Sequence, residues 1–513
     1  MNNRSNFTFI DLFAGIGGFR MALTNLGGSC LNFSEINKDA IHTYFKNFDE
    51  GEENNLGDIT QIKNLAPHDL LVGGVPCQSW SIAGKNLGFD DDRGQLWNDT
   101  IYLLNKTKPK AFIFENVKGL VDPRNKEALD YILKRIKQAG YFANYYVLNS
   151  FDYGVPQNRV RIYIVGFLEK EFYVKFNLPS PHENKVRLGD ILNVKTKKAE
   201  RSFPRDLFGE TIQPRSMSLS NNNGFNDYFL FNDLRNGHST IHSWDILETT
   251  ERQKDICYLL LKNRRKSLYG NLDGNPLSLL HFQRLDSTIT QAELDELVKI
   301  DILNSESYAF TIKSFNEKDL TENEKNLLKC HVESKLNIDE LKGSKQFKVN
   351  KISISNTIES LINKKIISCM EIRYDFKNTK ISTGLFGVNR VFLPSSNIFP
   401  TLVASDTNDY ITLENIEAKN EKEYKAKFLN EVYRNGNYRK ITKKEACKIQ
   451  GFPEDFILPE SRARWMKLLG NSVSVPVIEM LGAAILKTGV FDLEEEIITD
   501  FKVNDAYSMV IYP

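Results

Sequence analysis

Phe7-Thr8-Phe9-Ile10-Asp11-Leu12-Phe13-Ala14-Gly15-Ile16-Gly17-Gly18-Phe19 is the stretch whose reading decides the fold. Its apolar start predicts a buried strand over 7–12, a glycine-rich turn follows, and helical periodicity resumes over 18–26. Small residues in such a turn let the backbone approach a ligand, and the helix amino terminus beyond it offers free N–H groups. On its own the turn is equally consistent with a merely tight connection. Glu35, about 20 residues further on, ends a second predicted strand over 30–34, where an acid can bind ribose hydroxyls. Gly57-Asp58-Ile59 then supplies a second acid, suited to an adenine amino group. The turn lacks the full GxGxxG spacing and a basic phosphate clamp, so a nucleoside cofactor without phosphates fits better than a dinucleotide.

Outward from this turn, strands are predicted over 69–72, 111–114, 143–148 and 161–165, with helices over 39–45, 96–105 and 126–139. Such alternation is the pattern of an α/β, Rossmann-like domain with a mostly parallel sheet. Near Pro179-Ser180-Pro181 the register breaks. The region beyond is richer in Asn, Lys and Ser, with helices predicted over 250–262 and 292–298, and it closes at Pro394-Ser395-Ser396-Asn397. Helix-like stretches return at 442–449 and 475–486. The expected plan is a first domain begun by 1–184, an inserted domain at 185–400, and a return to the first domain at 401–513. Inside the insert, the apolar set Leu294, Leu297, Val298, Ile302 and Leu303 recurs as Ile358, Leu361, Ile362, Ile366 and Ile367. Each set reads as a short helix leading into a strand, as in winged-helix modules; two unrelated core helices give the same spacing, and both readings stay open.

At 513 residues the chain is too long for one core. A formal charge of +1 gives no global electrostatic signature, so any nucleic-acid surface must be local. Cys30, Cys77, Cys257, Cys330, Cys369 and Cys447 are scattered without CxxC pairs or metal-ligand spacing, and no metal is expected. The start has no signal-peptide core, and no apolar run reads as a bilayer span, so no membrane is expected. A reducing cytoplasm is the expected setting, where Cys77 stays a thiol. Cys77 sits in Pro76-Cys77-Gln78-Ser79-Trp80-Ser81, just after the apolar run Leu70-Leu71-Val72 and the pair Gly73-Gly74. A proline-stiffened loop at the carboxyl end of a parallel strand is how a fold displays a nucleophile. The competing reading is a small buried cysteine.

Five motifs, in order, carry a resemblance: Asp11 to Phe19 as quoted, Pro76-Cys77-Gln78, Glu115-Asn116-Val117, Gln157-Asn158-Arg159-Val160-Arg161 and Gly470-Asn471-Ser472-Val473. Together they resemble the DNA (cytosine-5)-methyltransferase family of bacterial restriction-modification type, which uses S-adenosylmethionine. Arg93-Gly94-Gln95-Leu96 and Glu445-Ala446-Cys447-Lys448-Ile449-Gln450-Gly451-Phe452-Pro453 also resemble family segments. Arg159 and Arg161 alternate with Val160, so both are predicted on one face of a strand. The resemblance implies that Cys77 adds to C6 of cytosine, that Glu115 relieves charge at N3, and that Arg159 and Arg161 sit by O2, Arg161 foremost. It places Phe13, Gly15, Gly17, Glu35, Asp58, Ile59, Pro76, Leu96, Asn471 and Val473 around the cofactor. No residue stands out as the base that removes the C5 proton.

The same resemblance implies duplex DNA as partner, with the target base flipped out of the stack. A mobile loop over 81–92 is expected to close on the DNA, with Lys85 as a phosphate contact; a plain solvated loop is the alternative. The insert is read as the target-recognition domain, and Lys262, Arg264, Arg265 and Lys266 as its densest basic group. Thr401-Leu402 resembles the family's junction between recognition and catalytic parts. A monomer on DNA is expected, with any companion endonuclease a separate protein. Rival readings are a tRNA cytosine-5 methyltransferase, which the large insert disfavours, a non-catalytic DNA-binding module, which the intact Cys77, Glu115 and Arg161 disfavour, and a nicotinamide-dependent dehydrogenase, which the incomplete dinucleotide fingerprint disfavours.

Overall fold

The computed structural model describes residues 7–76, 92–196, 227–270, 274–329, 334–338, 341, 353–379 and 383–492. The chain divides into two compact units: unit 1 comprises Met1–Val186, Ile398–Asp406 and Thr442–Pro513, and unit 2 comprises Arg187–Asn397 and Thr407–Ile441.

Unit 1 is organised on a six-stranded sheet. Its strands are β1 (Phe7–Leu12), β2 (Gly28–Ser34), β3 (Leu70–Gly74), β4 (Ala111–Val117), β5 (Phe142–Asn149) and, after the two-residue β6 (Gln157–Asn158), β7 (Val160–Phe167). The order is β2-β1-β3-β4-β7-β5. Pairing is parallel from β2 through β4, and β7 runs antiparallel to β4 and β5. Helices α1 (Gly18–Asn25), α2 (Lys38–Phe48), α3 (Asp92–Thr107) and α4 (Lys126–Gln138) alternate with the strands. The central strands are apolar almost throughout because a parallel sheet is covered on both faces. Trp97, Ile101 and Leu104 of α3 and Leu129, Ile132 and Ile136 of α4 share one core with Leu71, Phe112 and Phe114. Each such side chain contributes about 1.5–3 kcal/mol on burial. The helix Val475–Leu486 packs on α1; a Cβ on Gly482 would lie 2.8 Å from Leu26 Cδ1, so the approach there is close.

Strand register lines the motifs up on one rim. Leu12 pairs with Ser34 and with Gly73, and Gly74 pairs with Glu115. The glycine turn, Glu35, Pro76 and Glu115 therefore all lie at the carboxyl ends of β1–β4, where α/β sheets bind ligands. Two boundaries differ from the sequence expectation. β4 continues to Val117 because its last residues pair with β7, which puts Glu115 inside the strand. Arg159 precedes β7 and does not share its ladder with Arg161. One stretch, Arg462–Leu486, is after all long and apolar enough to cross a bilayer. It folds as two helices, Arg462–Asn471 and Val475–Leu486, and 72% of its most apolar window is buried.

Among the described residues, unit 2 shows three cores of its own. In one four-stranded sheet, Leu303–Ile312 and Ile367–Phe376 run antiparallel side by side in the centre. The helices that precede them, Gln291–Lys299 and Ile354–Asn363, leave through left-handed residues, Asp301 at φ 65° and Lys365 at φ 60°. Each exit is closed by a matching backbone bond, Ile302 N to Leu297 O at 3.1 Å and Ile366 N to Leu361 O at 3.0 Å. The apolar echo in the sequence is thus a repeated helix–turn–strand path, with its two copies in two separate cores. The third core is built on the sheet Asp409–Ile411, Arg390–Phe392, Tyr228–Phe231 and Thr240–Ile241. Phe428 stacks on Phe229 at 3.7 Å there. That packing draws Thr407–Ile441 into unit 2, although the sequence plan gave everything after 401 to the first domain.

Candidate active site

The glycine turn leaves β1 with Phe13 at φ 54°, Gly15 at φ 58° and Gly17 at φ 86°. Gly17 has a double need for glycine: its φ is left-handed, and a Cβ would lie 2.2 Å from the Phe48 ring. A Cβ built on Gly15 meets no atom within 4 Å, so the backbone there is open to a ligand. Its N–H donates to Glu35 Oε2 at 2.8 Å. Glu35 Oε1 accepts from the N–H groups of Ile36 at 2.8 Å and Asn37 at 2.7 Å. The carboxylate is therefore fixed by backbone donors and keeps a lone pair for a ligand hydroxyl.

Asn55, which the sequence reading missed, organises this corner. Its Oδ1 accepts from Glu35 N at 3.1 Å and Gly57 N at 3.0 Å, and its Nδ2 donates to Glu35 O at 3.1 Å. One amide thus ties the end of β2 to the loop that carries Asp58. Asp58 Oδ1 accepts from the N–H and hydroxyl of Thr60. Ile59 is buried in the core of unit 1, and Phe13 and Leu96 pack against the same core. Pro76 is half-buried, Asn471 is exposed and Val473 is buried. A Cβ on Gly18 would meet Val473 Cγ2 at 2.7 Å, and one on Gly74 would meet Val473 Cγ1 and Glu115 Oε2, both at 3.8 Å. Val473 therefore touches the helix start after the glycine turn and lies near the strand end that leads to Pro76.

Glu115 is 9% exposed, pairs in register with Tyr163, and meets Arg161 Nε at 3.1 Å through Oε1. Burial pushes its carboxyl above the usual range, and Arg161, then Arg159, pull it back. Asn116 Nδ2 donates to Val75 O at 3.1 Å, which fixes the backbone just ahead of Pro76. Arg159 is used differently from Arg161. It is 2% exposed, and its guanidinium donates to Leu402 O at 3.3 Å, Gly470 O at 3.2 Å and Ser472 O at 2.6 Å. Burial, then the neighbouring Arg161, bring its pKa down to about 9. Tyr163 is buried beside this group, and its hydroxyl has no partner among the described residues.

Cys77, and the stretch 81–91 with Lys85, lie outside the described residues. Of the basic group in unit 2, Arg264 is taken up in an ion pair with Asp375, 2.6 Å at its shorter contact; Lys262, Arg265 and Lys266 are exposed. Among the described residues no His, Cys, Asp and Glu cluster could hold a metal.

The profile of the C-5 cytosine-specific DNA methylase family matches residues 7–331 and 289–487. The Type II methylase M.HgiEI of Herpetosiphon aurantiacus is 42% identical over 494 residues, 95% of this chain and 98% of its own. The Type II methyltransferase M.HgiBI of the same organism is 41% identical over 493 residues, with the same coverage. The Type II methyltransferase M.NlaIV of Neisseria lactamica is 29% identical over 509 residues, 94% of this chain and 99% of its own.

Proposed function

The chain belongs to the C-5 cytosine-specific DNA methylase family, as a DNA methyltransferase of the Type II restriction-modification kind, and from that premise we propose that it methylates C5 of a cytosine flipped out of duplex DNA, with S-adenosylmethionine as donor. The observation that carries this reading is the buried Glu115–Arg161 pair, in register with the strand end that leads to Cys77.

Cytosine C5 is a weak nucleophile. In the proposed sequence the Cys77 thiolate adds to C6, forming an S–C6 bond and moving negative charge toward N3 and O2. Glu115, held above the usual carboxylate range by burial, gives a proton or hydrogen bond to N3, and Arg161 faces O2. C5 then takes the methyl group as that group's bond to the donor sulfur breaks, leaving a neutral thioether. Loss of the C5 proton to water, breakage of the S–C6 bond and return of the N3 proton to Glu115 restore the aromatic ring, the thiolate and the acid. Arg159 enters as a positioning residue, since its donors are engaged with backbone carbonyls.

S-adenosylmethionine supplies an electrophilic methyl when bound, and the residues present fit it. Built Cβ atoms on Gly15 and Gly57 both meet open space, next to the acids Glu35 and Asp58. Glu35 would hold the ribose hydroxyls and Asp58 the adenine amine, with Phe13, Ile59, Leu96, Pro76, Asn471 and Val473 as walls. Unit 2 is the proposed target-recognition domain. The proposed setting is a bacterial cytoplasm, with the enzyme a monomer on DNA and any cognate endonuclease a separate chain.

Incubation with methyl-labelled S-adenosylmethionine and either duplex DNA or tRNA tests the reading. Label at C5 of cytosine in DNA is expected; label in tRNA alone would sink it. Cys77→Ser is expected to abolish transfer, and a wild-type rate in that variant refutes the covalent route.

A further inference from the structure

Behind the site lies a buried chain of side-chain amides that neither the motifs nor the proposed chemistry accounts for. Leu402 N donates to Gln157 Oε1 at 3.1 Å. Gln157 Nε2 donates to Gln450 Oε1 at 2.8 Å and to Ile449 O at 2.9 Å. Gln450 Nε2 donates to Ser472 O at 2.9 Å and Val473 O at 3.0 Å. Both glutamines have no exposed surface. Arg159 closes the circuit from the other side, through Leu402 O and Ser472 O. Both donors of the Gln450 amide are therefore committed, and its orientation admits no flip, because the Gln157 amine must face its oxygen.

The carbonyls that Gln450 holds belong to the turn between the helices Arg462–Asn471 and Val475–Leu486. That turn carries Val473, whose methyls crowd Gly18 at the start of α1 and approach Gly74 at the end of β3. Within the turn, Ser472 Oγ donates to Val473 O at 3.3 Å, and Ser474 Oγ, next along, is buried without a partner among the described residues. The shorter bonds to the Ser472 and Val473 carbonyls come from beneath, from Gln450 and Arg159.

We propose that Gln450 is a positioning residue for the methyl-donor pocket, acting through the Ser472 and Val473 carbonyls to seat Val473 against the glycine turn. This rests on the reading of Val473 as a pocket wall. Loss of the two donated bonds lets the turn relax away from Gly18, which loosens cofactor binding and leaves the chemistry at Glu115 and Arg161 intact.

The test measures S-adenosylhomocysteine binding to the full chain by calorimetry, beside kcat at saturating donor and the melting temperature. Gln450→Met keeps volume and removes both donors; it is expected to raise Kd about tenfold while kcat changes less than about threefold, the scale of one or two neutral hydrogen bonds. Gln450→Glu sets a carboxylate against two carbonyls and is expected to weaken binding more. Leu297→Ala, in a core of unit 2, serves as a control that lowers the melting temperature without moving Kd. If Gln450→Met does not fold, Gln157→Met carries the test, with an expected rise of about threefold. A glutamine variant that loses melting temperature as the control does, at unchanged Kd, overturns the proposal. Failure of the wild-type chain to bind S-adenosylhomocysteine at all would instead strike the donor assignment.

Discussion

Glu35, just past the end of β2, and Glu115, near the end of β4, are carboxylates on the rim of one sheet, yet their surroundings differ in kind. Three backbone N–H groups fix Glu35, and the Asn55 amide fixes the backbone on which it sits. Glu115 has one arginine for a partner and is desolvated, so its carboxyl is displaced upward. Backbone donors set an orientation. Burial holds the Glu115 carboxyl above its usual range against the pull of Arg161, which favours its acid form, the form that can give a proton. The first arrangement suits binding and the second suits chemistry, and each can be broken separately.

The largest effect is expected at Glu115. Glu115→Gln should lower single-turnover methyl transfer about a thousandfold, within the range for a general acid, with S-adenosylhomocysteine affinity unchanged. Equal losses in rate and in affinity would erase the distinction drawn between the two carboxylates. Arg161→Ala should follow, at about a hundredfold in rate, because it removes both a donor toward O2 and the counter-charge of Glu115. Arg161 is the chief influence pulling the Glu115 carboxyl down. Its removal should therefore move the carboxylate limb of the pH–rate profile to higher pH; a limb that stays in place or moves down contradicts the pairing.

On the other side of the comparison, Glu35→Gln should leave kcat at saturating donor within about threefold and raise Kd about thirtyfold, since the amide must turn an NH2 toward backbone donors. A fall in kcat at unchanged Kd would give Glu35 a place in the chemistry that its geometry does not provide.

The rim itself was legible in the sequence. Glycine turn, acid after the second strand and Pro76 each follow an apolar run, and parallel register brings strand ends together without further information. Asn55, Asn116 and Gln450 were not legible, because a polar amide acquires meaning only from carbonyls that the fold brings to it, such as Ser472 O for Gln450. Arg159 and Arg161 looked alike for the same reason: alternation predicts a shared face, whereas the carbonyls of Leu402 and Gly470 that engage Arg159 come from far along the chain. The helix–strand echo in the insert was visible as spacing, but the antiparallel pairing of its two strands, from Leu303 with Phe376 to Ile312 with Ile367, was not. Sequence position also misled at Thr407–Ile441, where a cluster led by Phe229 and Phe428 outweighs nearness to the last helices.

A third carboxylate calibrates the other two, with the smallest expected effect on rate. Asp11 is fully buried in β1, and neither of its oxygens has a hydrogen-bond partner among the described residues. Burial raises its pKa well above the usual range, and the charge of Glu35 adds to this, while Arg20 opposes it; Arg20 itself is paired with Glu50 at 2.7 Å. Between the unfolded and folded pKa values the native chain holds a proton that the unfolded chain has lost. The stability that Asp11 contributes is thus complete below its unfolded pKa and is lost as pH rises through the folded one, at up to about 1.4 kcal/mol per pH unit. Asp11→Asn carries no such proton, so urea titrations from pH 4.5 to 7.5 should show the variant gaining on wild type as pH rises (about 1–3 kcal/mol across the window). Parallel stability curves would mean that Asp11 is ionised in the fold and paired, which would make it a second Glu115 instead of the unpartnered case.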